Sequence, residues 1–265
     1  MNLTDSHSHL FLPQFKEDIL NVLKRAAARD VRYIFLPNID TSTIDDMHQL
    51  CNQYPRRCFP MMGLHPSSVK EDFEKQLDEI SRYLYDNPEY YTAIGETGMD
   101  MYHDLTYVEE QRHALQQHIK WAKELNLPLV LHTRGCNYEV YDEIVKQYDE
   151  SLTGVFHCFD GDINFARKVM ELGFYIGIGG VVTFKNSKLP EVVKDIPLKN
   201  ILLETDAPYL APHPHRGKRN ESSYIYEIAS KIALIKGKHI DEVTEKTTEN
   251  ASCLYNITGF LSPYS

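Results

Sequence analysis

The chain has 265 residues, of which 28 are basic and 38 are acidic, so its formal net charge is −10 with histidine neutral. Hydrophobic residues make up 42% of the sequence, which is typical of a folded globular protein and excludes a disordered chain or a low-complexity fibre. The acidic balance argues against a protein that coats nucleic acid over a wide surface, because such binding depends on a broad basic patch.

The sequence carries no signal for export or membrane insertion. Its start, MNLTDSHSHLF, lacks a basic segment followed by an apolar run, so we expect no signal peptide. No apolar run approaches the ~18–20 residues that a membrane helix needs. The five cysteines form no close CxxC pair, which favours reduced thiols. We therefore expect a cytoplasmic protein without a membrane partner, and no obligate protein partner is evident.

Short β-branched or apolar runs alternate with longer charged stretches of helical period, which predicts alternating strands and helices. The predicted strands are Leu3–Ser6, Arg32–Leu36, Cys58–Met61, Tyr91–Ile94, Leu129–Leu131, Gly154–His157, Phe174–Ile178 and Asn200–Leu203. Eight such units predict an α/β protein with one (β/α)8 barrel of the TIM type, spanning residues 1–265 as a single domain. An open doubly wound sheet usually has fewer strands, and the first βα turn lacks the GxGxxG pattern.

Helix signals support this arrangement. The stretch Gln111–Leu125 predicts a helix that stops at the following Asn-Leu-Pro. Asp162 is the expected N-cap of a helix over Ile163–Leu172, with Gly173 just beyond its end. A last helix is expected over Asp241–Tyr255, packed back on the barrel.

Imidazole and carboxylate side chains occur where the predicted strands end. In a barrel the C-terminal ends of all strands meet at one face, where active sites are built. We therefore expect these residues to share one cavity: His7, His9, His65, Glu96, His132, His157 and Asp206.

His7 and His9 are two residues apart, so on a strand both imidazoles point the same way, into the barrel mouth. Taken singly, each candidate has a structural alternative: a hydrogen-bonded histidine, a helix-start carboxylate for Glu96, or an N-cap for Asp206. Together they favour a metal site, because buried polar groups are costly unless paired or coordinated. A ligand set of four of these imidazoles, those of His7, His9, His132 and His157, with the two carboxylates suits Zn²⁺, Mn²⁺, iron or Ni²⁺. Mg²⁺ usually prefers oxygen ligands.

Eight motifs run in order from Asp5 to Ala251: DSHSHL, GLHP, IGETGMD, LVLHTR, FHCF, LLETDAPYLAP, RGKRNE and TTENA. Together they resemble the TatD-like metal-dependent deoxyribonucleases of the amidohydrolase superfamily. The resemblance implies a (β/α)8 barrel that uses one or two divalent cations, such as Zn, Mg, Mn or Ni, to hydrolyse phosphodiester bonds in DNA.

The resemblance also implies roles for individual residues. One cation position maps to His7, His9, Glu96 and Asp206, and the other to Glu96, as a bridge, with His132 and His157. Glu96 and Asp206 are the expected catalytic carboxylates, and Asp206 is expected to orient or deprotonate the attacking water. His65 matches a histidine near the substrate phosphate, and Lys218 and Arg219 are expected phosphate contacts.

The chain departs from the family pattern in its loops. Gly135 and Cys136 follow Arg134, where the family often has an acidic residue, and Asp160 follows the FHCF motif, where small hydroxyl residues are common. No departure changes a proposed ligand, but these loops could line the substrate groove. The departures from the family pattern therefore affect which substrate we expect.

The remaining histidines are expected to be structural or solvated. We expect solvated side chains at His103, His113 and His118 and surface positions for His48 and His239. His213 and His215 form a second HxH pair, but in a proline-rich loop, where strand alternation is not assured. Cys158 is expected to point to the opposite face of its strand from His157 and to serve in packing.

The function expected from these residues is metal-dependent hydrolysis of DNA, with an exonuclease acting on single-stranded ends. An alternative is a metal-dependent amidohydrolase or esterase acting on a small or aminoacyl substrate, because a fold does not fix a function. A third hypothesis is a metal-binding scaffold without catalysis. Since imidazole ligands bind a cation only when unprotonated, metal binding and activity should weaken as pH falls through about 6.5.

Overall fold

The computed structural model describes residues 2–102 and 104–257. Strands and helices alternate along the described chain. The strands are β1 (Leu3–Asp5), β2 (Val31–Pro37), β3 (Cys58–Met61), β4 (Ile94–Gly98), β5 (Leu129–His132), β6 (Gly154–Phe156), β7 (Tyr175–Ile178) and β8 (Ile201–Leu203). The helices are α1 (Ile19–Ala28), α2 (Ile44–Gln53), α3 (Phe73–Asp86), α4 (Val108–Leu125), α5 (Asn137–Gln147), α6 (Ile163–Glu171), α7 (Leu189–Asp195), α8 (Ile225–Lys236) and α9 (Ile240–Leu254).

All strand pairings are parallel and follow chain order, from β1 to β3 and from β4 to β8. Two parallel bridges join these runs: Met62 pairs with Ile94 between the third and fourth strands, and Ser8 pairs with Ala207 between the first and the last. The eight strands therefore form the (β/α)8 barrel that the sequence predicts, with its strand ends on a common rim.

The final helix closes the N-terminal end of the barrel. The side chain of Asn250 donates to the carbonyls of Leu198 and Ile201, each at 2.8 Å, at the start of β8. The ring of Tyr255 packs against that of Phe35 inside the barrel, with centroids 4.3 Å apart. Because this end is filled by apolar and aromatic side chains, only the opposite, C-terminal rim is left to build a site.

The fourth strand differs from the sequence expectation, which placed it at Tyr91–Ile94. It runs over Ile94–Gly98, and its register with β5 shifts between Ile94 and Thr97. Close packing requires glycine at position 98 in this strand. The φ of Gly98 is +137°, and a Cβ there would lie 2.0 Å from the His132 carbonyl oxygen. Glu96 therefore lies within a strand, not after one.

The helix-end signals of α6 are confirmed. The Asp162 carboxylate accepts the Phe165 N–H at 2.8 Å, as an N-cap does, and Gly173 has a φ of +78° just past the helix. In the part of the chain that the structure describes, no helix is both long and apolar enough to cross a membrane.

Candidate metal centre

The Glu96 carboxylate lies at the middle of a cluster of imidazoles at the C-terminal rim. Its Oε2 is 3.0 Å from His7 Nε2 and 3.4 Å from His9 Nε2. Its Oε1 faces three other imidazole nitrogens, of His132 at 2.9 Å, His65 at 3.3 Å and His157 at 3.6 Å. The two oxygens of one buried carboxylate thus face two separate groups of nitrogen donors.

His7 and His9 converge as the alternation of their positions predicts. Their Nε2 atoms are 3.2 Å apart, and both face the Asp206 Oδ1, at 3.9 Å and 3.6 Å respectively. His9 donates from Nδ1 to the Pro37 carbonyl at 3.2 Å, so in the neutral ring the Nε2 lone pair faces the cluster. This orientation is the one that a metal-ligating imidazole needs.

The imidazole of His157 lies between two carboxylates. Its ring stacks on that of His7, with centroids 3.4 Å apart, and its Nδ1 lies 3.1 Å from Glu204 Oε1. The same oxygen of Glu204 accepts the Cys158 N–H at 2.5 Å. Glu204 fits there because residue 177 is glycine: a Cβ at Gly177 would lie 2.4 Å from Glu204 Oε2.

His132 and His65 complete the other side of the cluster, and the partners of their ring nitrogens differ. His132 Nδ1 faces Glu96, and its Nε2 lies 3.0 Å from Asp100 Oδ2. His65 Nδ1 accepts the Ser67 N–H at 3.0 Å, so a neutral His65 carries its proton on Nε2 and presents a donor to the cavity. His65 is therefore arranged to donate a hydrogen bond there, which suits a contact to an oxygen.

Burial and the close carboxylates shift the pKa values of the cluster. Burial opposes ionisation of Glu96, but the surrounding imidazoles hold its pKa well below the usual value. Burial lowers the pKa of His7 to about 4. Burial acts in the same direction on His9 and His157, but the facing carboxylates outweigh it and raise their pKa values to about 9 and about 10. The carboxylates therefore hold negative charge that positive charge must balance.

The donor set fits a divalent cation. Ligand atoms of His7, His9 and Glu96 lie within 4.8 Å of one another, as do those of His7, His157 and Asp206. His7 Nδ1 is buried and has no hydrogen-bond partner within the described residues. A mixed set of imidazole nitrogens and carboxylate oxygens suits borderline cations such as Zn²⁺, Mn²⁺ or Ni²⁺.

Asp206 is the carboxylate that faces the opening of the cavity. Its side chain is 15% exposed, against 2% for that of Glu96. The residue follows β8 in the left-handed region at a φ of 55°, a conformation that aspartate tolerates better than most residues. Its N–H donates to the His7 carbonyl at 2.9 Å, which fixes the residue beside the cluster.

Among the described residues, no hydrogen bond or ion pair joins the two predicted phosphate contacts to the cluster's side chains. The Lys218 side chain is exposed. The Arg219 guanidinium makes a two-pronged ion pair with the Asp18 carboxylate, with both N···O distances at 2.8 Å, and stacks over the ring of Phe15. Arg219 therefore ties the loop after β8 to the start of α1, so its guanidinium is already engaged.

Two expectations for other side chains are wrong. His118 is fully buried: its Nε2 accepts the Leu64 N–H at 3.0 Å and its Nδ1 donates to the Ala114 carbonyl. Helical charge patterning missed it because the inward face of α4 also carries buried polar contacts, those of His118 and of Gln111. Cys158 does not point away from His157, because β6 ends at Phe156 and Cys158 has a φ of 47°. Its Sγ lies within 4.8 Å of ligand atoms of His157 and Glu204.

The remaining histidines lie outside the cluster. His48 is half-buried and packs against the rings of Tyr83, Tyr90 and Tyr91, so the expected surface position is only partly correct. His113 and His239 are exposed, as expected. His213 is exposed, while His215 stacks on the ring of Tyr224. The expectation for His103 falls outside the described residues.

Sequence reasoning missed two carboxylates of the site, Glu204 and Asp100. The signal that could have found them is the two-residue repeat used for the HxH pair. Glu204 is two residues before Asp206, and Asp100 is four residues after Glu96, so strand alternation would place each on the same face as its neighbour. Both face an imidazole nitrogen on the side away from the cluster's centre.

The sequence and the fold match known proteins over nearly their whole lengths. The family model described as TatD related DNase matches residues 4–256. The Bacillus subtilis protein YabD, named as an uncharacterized metal-dependent hydrolase, is 38% identical over 259 residues, covering 96% of this chain and 99% of that protein. YcfH of Escherichia coli, also named as an uncharacterized metal-dependent hydrolase, is 33% identical over 97% of both chains.

Two solved structures share the fold of this chain. The crystal structure of YJJV, a TatD homolog from Escherichia coli, superimposes with a TM-score of 0.90 at 27% identity, covering 96% of this chain and 98% of that chain. A hydrolase of the TatD family from Entamoeba histolytica shares the fold, with a TM-score of 0.85 at 23% identity over 96% and 98% of the two chains. With the family model, the relatives and the barrel in agreement, the chain belongs to the TatD family of metal-dependent hydrolases.

Proposed function

We propose that this enzyme hydrolyses phosphodiester bonds of DNA and acts as an exonuclease on single-stranded ends. One or two divalent cations would be held by His7, His9, Glu96, His132, His157 and Asp206. The observation that carries the proposal is the position of Glu96, whose two oxygens face separate groups of imidazole nitrogens. A carboxylate so placed is suited to bridge two cations.

The side chains around Glu96 suggest a division of roles. A divalent cation at this site supplies Lewis acidity, which activates water and polarises a phosphoryl oxygen. Asp206, the more exposed carboxylate, is placed to orient the attacking water and accept its proton. His65 Nε2–H is placed to donate to a non-bridging phosphoryl oxygen, where charge accumulates in the transition state.

Three further residues support these roles. Glu204 holds His157 by its Nδ1, which leaves Nε2 directed at the cluster. Lys218, exposed on the loop after β8, is proposed to contact a phosphate from the solvent side. Arg219 is proposed to act through the loop that it anchors to Asp18, since its guanidinium is engaged there.

The depth of the cluster favours an end of a strand over the middle of a duplex. The side chains of His7, His9 and Glu96 are nearly inaccessible, whereas those of Asp206, His65 and His132 are each 15% exposed and line the opening. A terminal nucleotide can enter such a recess, whereas a continuous duplex is a rigid rod that would meet the rim. The five cysteines are all free, which agrees with a cytoplasmic enzyme, where thiols stay reduced.

The test is an assay of end-labelled single-stranded DNA with the purified protein, with and without chelator. We expect stepwise release of mononucleotides that depends on a divalent cation, and near-complete loss of turnover in His132→Ala. His113→Ala, an exposed histidine on α4, is the matched control and should retain activity. Full turnover after complete metal removal, or in His132→Ala, would refute the proposal.

Adding acyl esters and other phosphodiesters to the substrates of this assay separates the alternatives. Turnover of an aminoacyl ester or another small acyl substrate, without cleavage of DNA, would replace the proposal with a metal-dependent amidohydrolase or esterase. Stoichiometric metal without turnover of any phosphodiester, nucleic acid or acyl ester would indicate a metal-binding scaffold.

A further inference from the structure

One sector of the barrel mouth is basic although the whole chain is acidic. The loop after β7, residues 179–188, carries Lys185 and Lys188, and residues 207–220 of the loop after β8 carry Arg216, Lys218 and Arg219; neither segment contains Asp or Glu, although Asp206 and Glu221 border the second. The formal net charge of the chain is −10. We call these two loops, residues 179–188 and 207–220, the basic lobe.

Direct contacts join the two loops of the basic lobe. Thr183 Oγ1 accepts the His213 N–H at 2.8 Å, and the Arg216 guanidinium lies 3.7 Å above the Phe184 ring. The backbones approach so closely that a Cβ at Gly180 would lie 2.1 Å from the Leu210 carbonyl oxygen. The cations of both loops therefore belong to one surface.

Four cations of the basic lobe are available to a ligand. The side chains of Lys185, Lys188, Arg216 and Lys218 are exposed. Among the residues that the structure describes, none presents a carboxylate to these four at ion-pair distance, whereas Arg219 is paired with Asp18. Their charges therefore add to a local positive potential beside the site.

The basic lobe begins at the candidate metal centre. Its loop after β8 follows Asp206 directly, and Tyr209 donates its N–H to the Asp206 carbonyl at 2.8 Å. The Tyr209 ring is 48% exposed, and its centroid lies 6.4 Å from that of His9. An exposed aromatic ring thus lies beside the cluster, on the loop that carries lobe cations.

Two other loops of the mouth carry acidic residues, and the loop after β5 carries the exposed Arg134. The loop after β4 contains Asp100 and Asp104, and the loop after β6 contains Asp160 and Asp162. Asp104 is paired with Lys70 at 3.4 Å and Asp100 faces His132, whereas the four exposed lobe cations face no carboxylate among the described residues. The basic lobe therefore offers a polyanion more unpaired cations than the loops after β4, β5 and β6.

We propose that the basic lobe binds the phosphate backbone of single-stranded DNA whose end occupies the metal centre, with Tyr209 as a surface on which a base stacks. This inference rests on the proposed function and adds the path of the strand. Each phosphate contact to a single strand contributes about 0.7 to the slope of log affinity against log salt concentration. Aromatic stacking adds affinity without sequence preference.

The test compares two pairs of charge-removing substitutions by fluorescence anisotropy. The probe is a labelled oligodeoxythymidine phosphorothioate of about 12 nucleotides, within the usual site size for single strands, bound to the metal-loaded enzyme between about 50 and about 200 mM salt. The lobe variant carries Lys185→Gln and Arg216→Gln. The matched control carries Arg56→Gln and Lys199→Gln, exposed cations just before β3 and β8, at the opposite end of the barrel.

We expect the salt slope of the lobe variant to fall by about 1.4, two contacts at about 0.7 each, and that of the control to match wild type. Equal slopes in the two variants, with DNA hydrolysis intact, would overturn the basic lobe and leave the proposed function standing. Lobe-dependent binding without hydrolysis would support the lobe and overturn the proposed function. Tighter lobe-dependent binding of an RNA strand of equal length and charge would overturn the assignment to DNA.

Discussion

Replacing Gly177 by alanine perturbs the metal centre without changing any ligand. The new Cβ would lie 2.4 Å from Glu204 Oε2 and 2.8 Å from its Cδ. An ordinary contact needs about 3.5 Å, so the carboxylate must move by about 1 Å. That shift would lengthen the 3.1 Å separation between Glu204 Oε1 and His157 Nδ1 beyond hydrogen-bonding distance.

Loss of this contact should weaken cation binding. Residues that orient a metal-ligating histidine are typically worth about 10–100-fold in metal affinity, or about 1.4–2.7 kcal/mol. We expect Gly177→Ala to lie within this range, because His157 would lose the carboxylate beside its Nδ1. Glu204→Gln should cost about 10-fold, since an amide oxygen can still accept from Cys158 while the charge beside His157 is lost.

The assay is a titration of metal-free protein with Zn²⁺ against a competing chelator. Gly179→Ala is the matched control, because a Cβ there would lie 3.7 Å from Glu204 Cγ, an ordinary contact. Thermal unfolding of both variants checks that each is folded. Equal Zn²⁺ affinities of folded Gly177→Ala and Gly179→Ala would refute the role given to Glu204.

Three further outcomes can be measured. Asp206→Asn should lower turnover on DNA by about 10²–10⁴-fold, the usual contribution of a general base, while an amide oxygen remains to face the cation; unchanged turnover would exclude Asp206 as the proton acceptor. Treatment with chelator should abolish hydrolysis and added Mn²⁺ or Zn²⁺ should restore it, as followed by mononucleotide release. Burial lowers the pKa of His118 to about 4 from about 6.5 in the unfolded chain, so only the unfolded state takes up a proton between these values. This group alone should lower the free energy of unfolding by about 3 kcal/mol as pH drops from 6.5 to 4, a loss that denaturant titration should find reduced in His118→Gln and retained in His113→Gln.

The sequence predicts the barrel well because its strands are short apolar runs separated by long helical stretches. Such a pattern predicts the order and number of the strands even where the predicted end of one strand is wrong. The boundary of β4 was missed because IGETG looks like a loop by composition. Its glycines instead serve the close approach of Gly98 to His132, a tertiary requirement that no local pattern shows.

The convergence of the site residues was also predictable, because strand alternation and the shared rim are general properties of barrels. The same reasoning did not predict the side chains that hold the ligand histidines in place. Glu204 and Asp100 act on the far nitrogens of His157 and His132, and those contacts depend on ring orientation. Likewise, the pairing of Arg219 with Asp18 joins residues about two hundred positions apart, so spacing along the chain gave no sign of it.

The central claim is that Glu96 and its surrounding imidazoles hold divalent cations, and anomalous diffraction from crystals grown with Zn²⁺ or Mn²⁺ tests it most directly. We expect one or two peaks within about 2.0–2.2 Å of a Glu96 oxygen, flanked by nitrogens of His7, His9 or His132. Peaks confined to other parts of the protein, or none at saturating metal, would contradict the account.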